Sequence, residues 1–213
     1  MVDGARGAHG EARQVVLDRI RAALDGQPPP AEIPRGYAVD HPALGDQAAV
    51  LDRFVDRVTD YRADLTRTGV DGIAAAVAAA LGDARSVVVP PDLDGTWLPD
   101  HVDSRPDHQL PVADLDAVEA VITAAAVGIA ETGTVVLDAG PGQGRRAISL
   151  VPDLHVCVIR ADQVVATVPQ AVRRLDPTRP QTWISGPSAT SDIELDRVEG
   201  VHGPRTLHVV LVD

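Results

Sequence analysis

The 213-residue chain contains no lysine: all 19 of its basic residues are arginine. Schiff-base catalysis, pyridoxal phosphate attachment and the phosphate-gripping lysine of a P-loop all require a primary ammonium. Arginine stays protonated and does not replace it as a nucleophile, so those chemistries are excluded. Cysteine is nearly absent as well. Cys157 stands alone in the apolar run "HVCVI", so this chain builds no disulfide framework, cysteine zinc site or iron–sulfur cluster of its own. A free cysteine in such a run reads as a buried strand residue. Only five aromatic residues are present (Tyr37, Phe54, Tyr61, Trp97, Trp183), which leaves Val, Ala, Leu and Ile to fill the interior and gives no platform for stacking bases. Acids outnumber bases 31 to 19, for a formal charge of −12. Such a surface repels phosphate backbones and anionic headgroups, so neither nucleic acid nor a membrane is expected as a partner. The N-terminal stretch "MVDGARGAHGEARQ" lacks an apolar signal region, and the longest apolar run, Ile73–Leu81, is too short to span a bilayer. A cytoplasmic location is expected.

What is present alternates between helical and strand patterns. Val15, Val16, Ile20 and Leu24 fall near helical spacing, and Gly26 with three following prolines ends that helix, giving an amphipathic arm from Glu11 to Leu24. The Pro- and Gly-rich segment 27–46 reads as a linker. Val50, Leu51, Phe54, Val58, Tyr61 and Leu65 then form a stripe that predicts one long helix over about 47–66. A further helix, a Gly-Asp stop and the strand Ser86–Val89 follow, the repeating step of an α/β fold. From Val118 onward, "AVEAVITAA", "GTVVLDAG", "HVCVIRAD", "TWISG" and "TLHVVLVD" read as short apolar strands. Between the third and fourth, "ADQVVATVPQAVRRLD" reads as a helix that Pro169 kinks or splits. The expected architecture is α/β: a mostly parallel sheet flanked by helices, with an N-terminal helical extension and ligands beyond the carboxyl ends of the strands.

Three polar stretches interrupt the apolar pattern. In "AETGT", Glu131 is either a general base and ligand for hydroxyls or a cap for the Thr132–Thr134 turn, and Gly133 either admits a ligand close to the backbone or makes a tight turn. In "SGPSATSD", Ser185, Gly186, Ser188, Thr190 and Asp192 read as a strand end followed by a helix start, an arrangement that leaves N–H groups for an anion. Asp192 and Glu194 diverge on such a helix and form no acid pair. In "VHGP", His202 beside Gly203 is an acid, a base or a carboxylate donor, or else a pin between two loops. Arg145 and Arg146 follow the glycine-rich "GPGQG" loop, a flexible presentation suited to gripping a carboxylate or phosphate; the alternative is an ordinary solvated charge pair. All three stretches lie at strand ends and are expected to meet in space. His9, His41, His101 and His108 have no ligand spacing, and no metal site is predicted.

"GIAETGTVVL" (128–137), "SLVPDLHVCVIRADQVV" (149–165), "ISGPSATSDIE" (184–194) and "GVHGPRTLHVVLVD" (200–213) together resemble the lactate utilization protein C family of LUD-domain proteins. "VVLDRIRAAL" and "SVVVPPDLDGTWLP" extend the likeness upstream. The resemblance implies a fold like that of the glucosamine-phosphate isomerase, ribose-phosphate isomerase and CoA-transferase superfamily, with an arm and linker at 1–45 and a LUD-type domain at 46–213. It also implies service beside iron–sulfur partner proteins in oxidising L-lactate to pyruvate. On that reading the chain is a non-redox component that carries no cofactor, with iron–sulfur clusters in its partners, and it binds a small carboxylate or other anion. The alternative is a stand-alone isomerase or CoA-transferase-like enzyme with Glu131 as base or nucleophile.

Overall fold

The structure, a computed structural model, describes all residues except 1–3, 27–31, 34–35, 37, 41–43, 191–197 and 200–202, with backbone alone for 4–11, 189–190 and 198–199. Two compact units are present, Met1–Tyr37 and Ala38–Asp213. The first carries α1 (Gly4–Leu24), which begins before the expected Glu11. The apolar stripe of α1 (Val15, Val16, Ile20, Leu24) is exposed.

The second unit opens with α2 (Gln47–Asp60), β1 (Asp64–Thr68), α3 (Ile73–Leu81), β2 (Ser86–Val89), β3 (Asp103–Pro106) and α4 (Val112–Asp116). It continues through β4 (Ala120–Ala124), β5 (Val127–Ile129), β6 (Thr134–Leu137), β7 (Leu154–Arg160) and β8 (Val164–Val165). It closes with α5 (Val168–Arg174), β9 (Thr182–Ile184), β10 (Ala189–Thr190), β11 (Val198–Glu199) and β12 (Thr206–Val212). Six strands make one sheet in the order β1-β12-β7-β4-β2-β3, and every pairing in it is parallel. The expected mostly parallel α/β architecture is therefore present. The sequence reading did not anticipate the second sheet, β8-β5-β6-β9, whose β5–β6 and β6–β9 pairings are antiparallel.

Burial explains the layering. β7 reads "LHVCVIR" and buries every residue from His155 to Ile159, as a strand covered on both faces must. Val156 and Val158 pack with Ile73, Val77 and Leu81 of α3, whereas Cys157 and Ile159 pack on the opposite face with Phe54 and Val58 of α2 and Val135 and Leu137 of β6. α5 covers the outer face of the second sheet through Ala171 against Val127, Ile129 and Val136.

Three local expectations are corrected. The predicted helix over 47–66 stops at Asp60, and Leu65 lies in β1. Asp46 starts α2 by accepting from the Ala49 N–H at 2.8 Å. At the other end Arg62 turns left-handed (φ 64°) while the Ala63 N–H donates to the Val58 carbonyl and the Arg62 N–H to Thr59, a Schellman closure. The predicted helix with an internal proline is in fact a short strand, β8, followed by α5. Pro169 sits in the first turn of α5, where its missing N–H costs nothing, and so it starts the helix instead of kinking it. Finally, "SATSD" does not open a helix at Ser188–Thr190: Ala189 and Thr190 form β10, antiparallel to β11.

Candidate functional site

β5 and β6 form a hairpin whose turn holds Glu131, Thr132 and Gly133. Gly133 has φ 58°, and a Cβ placed on it would lie 2.6 Å from the backbone carbon of Arg57, so the turn presses against the end of α2. Both facts require glycine there. From this turn a line of hydroxyls runs outward: Thr132 Oγ1 to Thr134 Oγ1 at 2.7 Å, then Thr134 Oγ1 to Ser185 Oγ at 2.8 Å. Thr134 is buried. Gly186, also left-handed at φ 83°, lies against the Tyr61 carbonyl and turns the chain out of β9. The Ser188 N–H then donates to the Pro204 carbonyl at 2.8 Å.

These contacts form one wall of a cleft of about 280 Å³. Ser185, Gly186, Ser188 and Gly203 line it, joined by Arg146, Ser149, His155 and Trp183. The stretches "AETGT", "SGPS" and the end of "VHGP" thus converge, the first by way of the Thr134–Ser185 bond and the other two directly. Glu131 is exposed and does not line the cleft. Thr190 is described by its backbone alone; Asp192 and His202 lie outside the described residues.

The two adjacent arginines have different roles. Arg145 makes a two-pronged ion pair with Asp107, Nε to Oδ2 at 2.6 Å and Nη2 to Oδ1 at 3.0 Å, and Nη2 also donates to the Leu110 carbonyl at 2.7 Å. The Asp107 side chain is 3% exposed, and the Arg145 guanidinium holds its carboxyl below the usual range. Arg145 is thereby committed to tying the end of β3 to the loop after β6, so neither gripping an anion nor an ordinary solvated pair describes it. The loop itself is stapled: the Asp138 N–H donates to Gln143 Oε1 at 2.6 Å, the Gly142 N–H to Asp92 at 3.1 Å, and the Ala124 N–H to the Gly142 carbonyl at 2.7 Å. The "GPGQG" segment is accordingly an ordered platform. Arg146 projects from it into the cleft, exposed and without an ion pair among the described residues.

His155 is the site residue that sequence reasoning missed. It lies on β7 beside Val121 and Leu207, is 1% exposed, and its Nε2 is 2.8 Å from Thr123 Oγ1. Burial pushes its pKa down to about 4, so the ring is neutral at pH 7. The available signal was an imidazole at a position in the "HVCVI" run where the pattern calls for an apolar side chain.

The cleft also lies where the sequence did not place it. His155 and Leu207 are the second residues of β7 and β12, so it opens at the amino ends of these parallel strands, against the edge strand β9 of the other sheet. A larger cavity, about 510 Å³, does occupy the carboxyl edge, lined by Ala124, Arg160, Val212, Asp138, Arg174 and Arg179 among others. None of the anticipated residues that the structure describes line it. Arg160 is paired there with Asp162, and Arg179 with Asp138. Arg174 donates there to the Asp162 carbonyl at 2.9 Å. The cleft offers Arg146, a cation with no ion pair among the described residues, set among hydroxyls in a protein of net charge −12. Among the described residues, no group of three or more His, Cys, Asp or Glu side chains is placed to hold a metal ion, and no helix is long and apolar enough to cross a membrane.

Comparison with known proteins places this arrangement in a family. The LUD domain family matches residues 113–212, which contain every lining residue of the cleft. A protein of Deinococcus radiodurans named lactate utilization protein C is 47% identical over 207 residues, covering 95% of this chain and 96% of its own. Proteins of the same name from Shouchella clausii (32% over 114 residues, 50% of this chain and 49% of the relative) and Halalkalibacterium halodurans (39% over 101 residues, 43% and 44%) match shorter stretches. The crystal structure of a DUF162 family protein from Deinococcus radiodurans superposes with a TM-score of 0.70 at 42% identity, covering 79% of this chain and 99% of that one. Identity at this level along nearly the full length of both sequences leaves one conclusion: the chain belongs to the lactate utilization protein C family.

Proposed function

We propose that this protein serves in lactate utilization as a component without a redox centre of its own, working beside iron–sulfur partner proteins and binding a small carboxylate in the Arg146 cleft. The observation that carries the reading is the 47% identity to a lactate utilization protein C across 95% of the chain. The site chemistry agrees with it. A guanidinium without a carboxylate partner among the described residues, set among serine hydroxyls, is suited to a carboxylate. The cleft, at about 280 Å³, sits at the small end of ligand sites, which run from about 300 to 1,000 Å³. Conversion of lactate to pyruvate removes two electrons and two protons, one hydrogen leaving the hydroxyl-bearing carbon and the other its hydroxyl oxygen. The single cysteine of this chain is buried and burial pushes its thiol up to about 12, so the electrons are assigned to the partners.

Deletion of the gene is expected to abolish growth on L-lactate as sole carbon source while leaving growth on pyruvate intact. The wild-type gene should restore growth and Arg146→Ala should not. Because Arg146 is exposed, the variant should melt within a few degrees of wild type. Normal growth of the deletion strain on L-lactate overturns the proposal.

A further inference from the structure

Among the described residues, the buried side-chain nitrogens and oxygens of the second sheet, the stapled loop and the hydroxyl line have hydrogen-bond partners. One buried group does not. Among the described residues, His155 Nδ1 is the buried side-chain nitrogen or oxygen with no hydrogen-bond partner. It belongs to a residue that lines the cleft. Leaving a buried polar atom unpaired costs about 1–3 kcal/mol, and a leucine in a strand otherwise reading Val, Cys, Val, Ile would avoid that cost.

We infer that His155 is a binding residue of the cleft, whose Nδ1–H donates to an oxygen of a bound small carboxylate; this rests on the carboxylate reading of the site. The ring is neutral and carries one proton, so the partner of Nε2 decides where that proton lies. Thr123 Oγ1, fully buried, is that partner at 2.8 Å. A threonine hydroxyl that accepted from Nε2–H would turn its own proton to the Cys157 sulfur, its other side-chain hydrogen-bond partner and a weak acceptor. Donating instead to the unprotonated Nε2 gives that proton a strong acceptor. Thr123 thus fixes the tautomer with the proton on Nδ1, and the unpaired group is a donor.

A neutral donor and a cation divide the work of one ligand. Arg146 supplies the charge, from an exposed position that a ligand reaches first. His155 supplies a directional bond deeper in the cleft, beside Ser149, which is held in place by donating to the Arg146 carbonyl at 3.0 Å. Both contacts call for acceptor oxygens on the ligand. The class that fits is a small 2-hydroxy or 2-oxo carboxylate, with several acceptors within a few ångströms of one another. A ligand presenting only ammonium or amide donors finds nothing complementary in this pair.

The test separates the two ring nitrogens. Asparagine carries its amide near the position of Nδ1, and glutamine carries its amide near that of Nε2. Purified full-length protein is titrated calorimetrically with L-lactate and with pyruvate, for wild type, His155→Asn, His155→Gln and His155→Leu. Wild type is expected to bind, with His155→Asn within about threefold and His155→Gln and His155→Leu weaker by tenfold or more, the scale of a lost hydrogen bond to a charged group. His155→Leu relieves the unpaired Nδ1 but takes the Nε2 partner from the buried Thr123 hydroxyl, so the two effects offset and it should melt within a few degrees of wild type at pH 7. In 15N-histidine-labelled wild type, the Nδ1 resonance of His155 should shift when pyruvate is added. Binding equal to wild type in all three variants, binding kept by Gln and lost by Asn, or an unmoved Nδ1 resonance overturns this inference alone. Failure of the wild-type protein to bind either acid overturns both it and the carboxylate reading.

Discussion

Replacing Arg145 with alanine should destabilise the protein far more than replacing the arginine beside it. In the variant, the Asp107 carboxylate keeps its bond from the Leu110 N–H at 2.9 Å but loses both guanidinium contacts, and its side chain is only 3% exposed. Stripping one partner from a buried pair costs about 3–5 kcal/mol. The Arg145 side chain is 31% exposed, so solvent screening places the effect nearer the lower end, about 2–4 kcal/mol. For a chain of this size that corresponds to a fall in Tm of roughly 5–15 °C. The pH dependence gives a second handle. The folded-state pKa of Asp107 is depressed, first by the Arg145 hydrogen bond. The pair therefore contributes fully above the unfolded carboxyl value of about 3.9 and is lost as the pH falls toward the lower folded value. The deficit of Arg145→Ala should be full at pH 7 and narrow below about pH 4, where protonation removes the buried charge. The double variant Arg145→Met/Asp107→Asn, lacking both charges, should melt closer to wild type than Arg145→Ala does. Scanning calorimetry across this pH range is the assay. A Tm for Arg145→Ala within 2 °C of wild type at pH 7, or a deficit that does not change with pH, refutes the reasoning.

Two further outcomes follow from the site's scaffold. Gly133→Ala adds about 1–2 kcal/mol of left-handed strain to a methyl 2.6 Å from the Arg57 backbone, so urea unfolding should show a loss of about 3 kcal/mol or more; a loss under 1 kcal/mol would show that the turn does not bear on α2. The depressed pKa of His155 means that the unfolded chain takes up a proton there between about pH 6.5 and 4 while the folded chain does not, so stability falls with pH across that window by up to about 3 kcal/mol. His155→Leu should flatten the acid limb of the stability curve by that amount, and an unchanged limb would place the titration elsewhere.

The parallel sheet was legible because its strands are buried on both faces and therefore written as apolar runs, as at Val87–Val89 and Val156–Ile159. β1 was hidden for the opposite reason. "DLTRT" is an edge strand with a single leucine, and the helix before it ends on an arginine in the left-handed region where glycine is the usual signal. Leu65 then extended a helical stripe that had already stopped. β6 and β9 were readable as strands, but the second sheet was lost because β5 and β8, three and two residues long, are too short for a period of two to declare itself. At the site, glycines and hydroxyls marked the loops that converge, since turn chemistry is local. Which arginine faces the cleft was not readable: Arg145 and Arg146 are adjacent, and the distinction is made by Asp107, 38 residues away in sequence. His155 escaped for a related reason, since its importance lies in a partner that is missing, which only the folded chain reveals.

The strand order also sets a timetable for biosynthesis. β1 pairs only with β12, from Asp64 with His208 to Thr68 with Val212. β12 in turn separates β1 from β7. On the ribosome, β2, β3, β4 and β7 can assemble as they emerge, but β1 must wait through the synthesis of about 140 further residues before its neighbour exists. Until then α2 and α3 remain partly unclothed, the edge of β7 that β12 will pair with is open, and the cleft lacks the wall formed by Pro204 and Leu207. Completion of the domain and of its site is thus a single late event tied to the last strand, and a ribosome stalled before residue 206 would hold a nascent chain with neither, a natural target for chaperones.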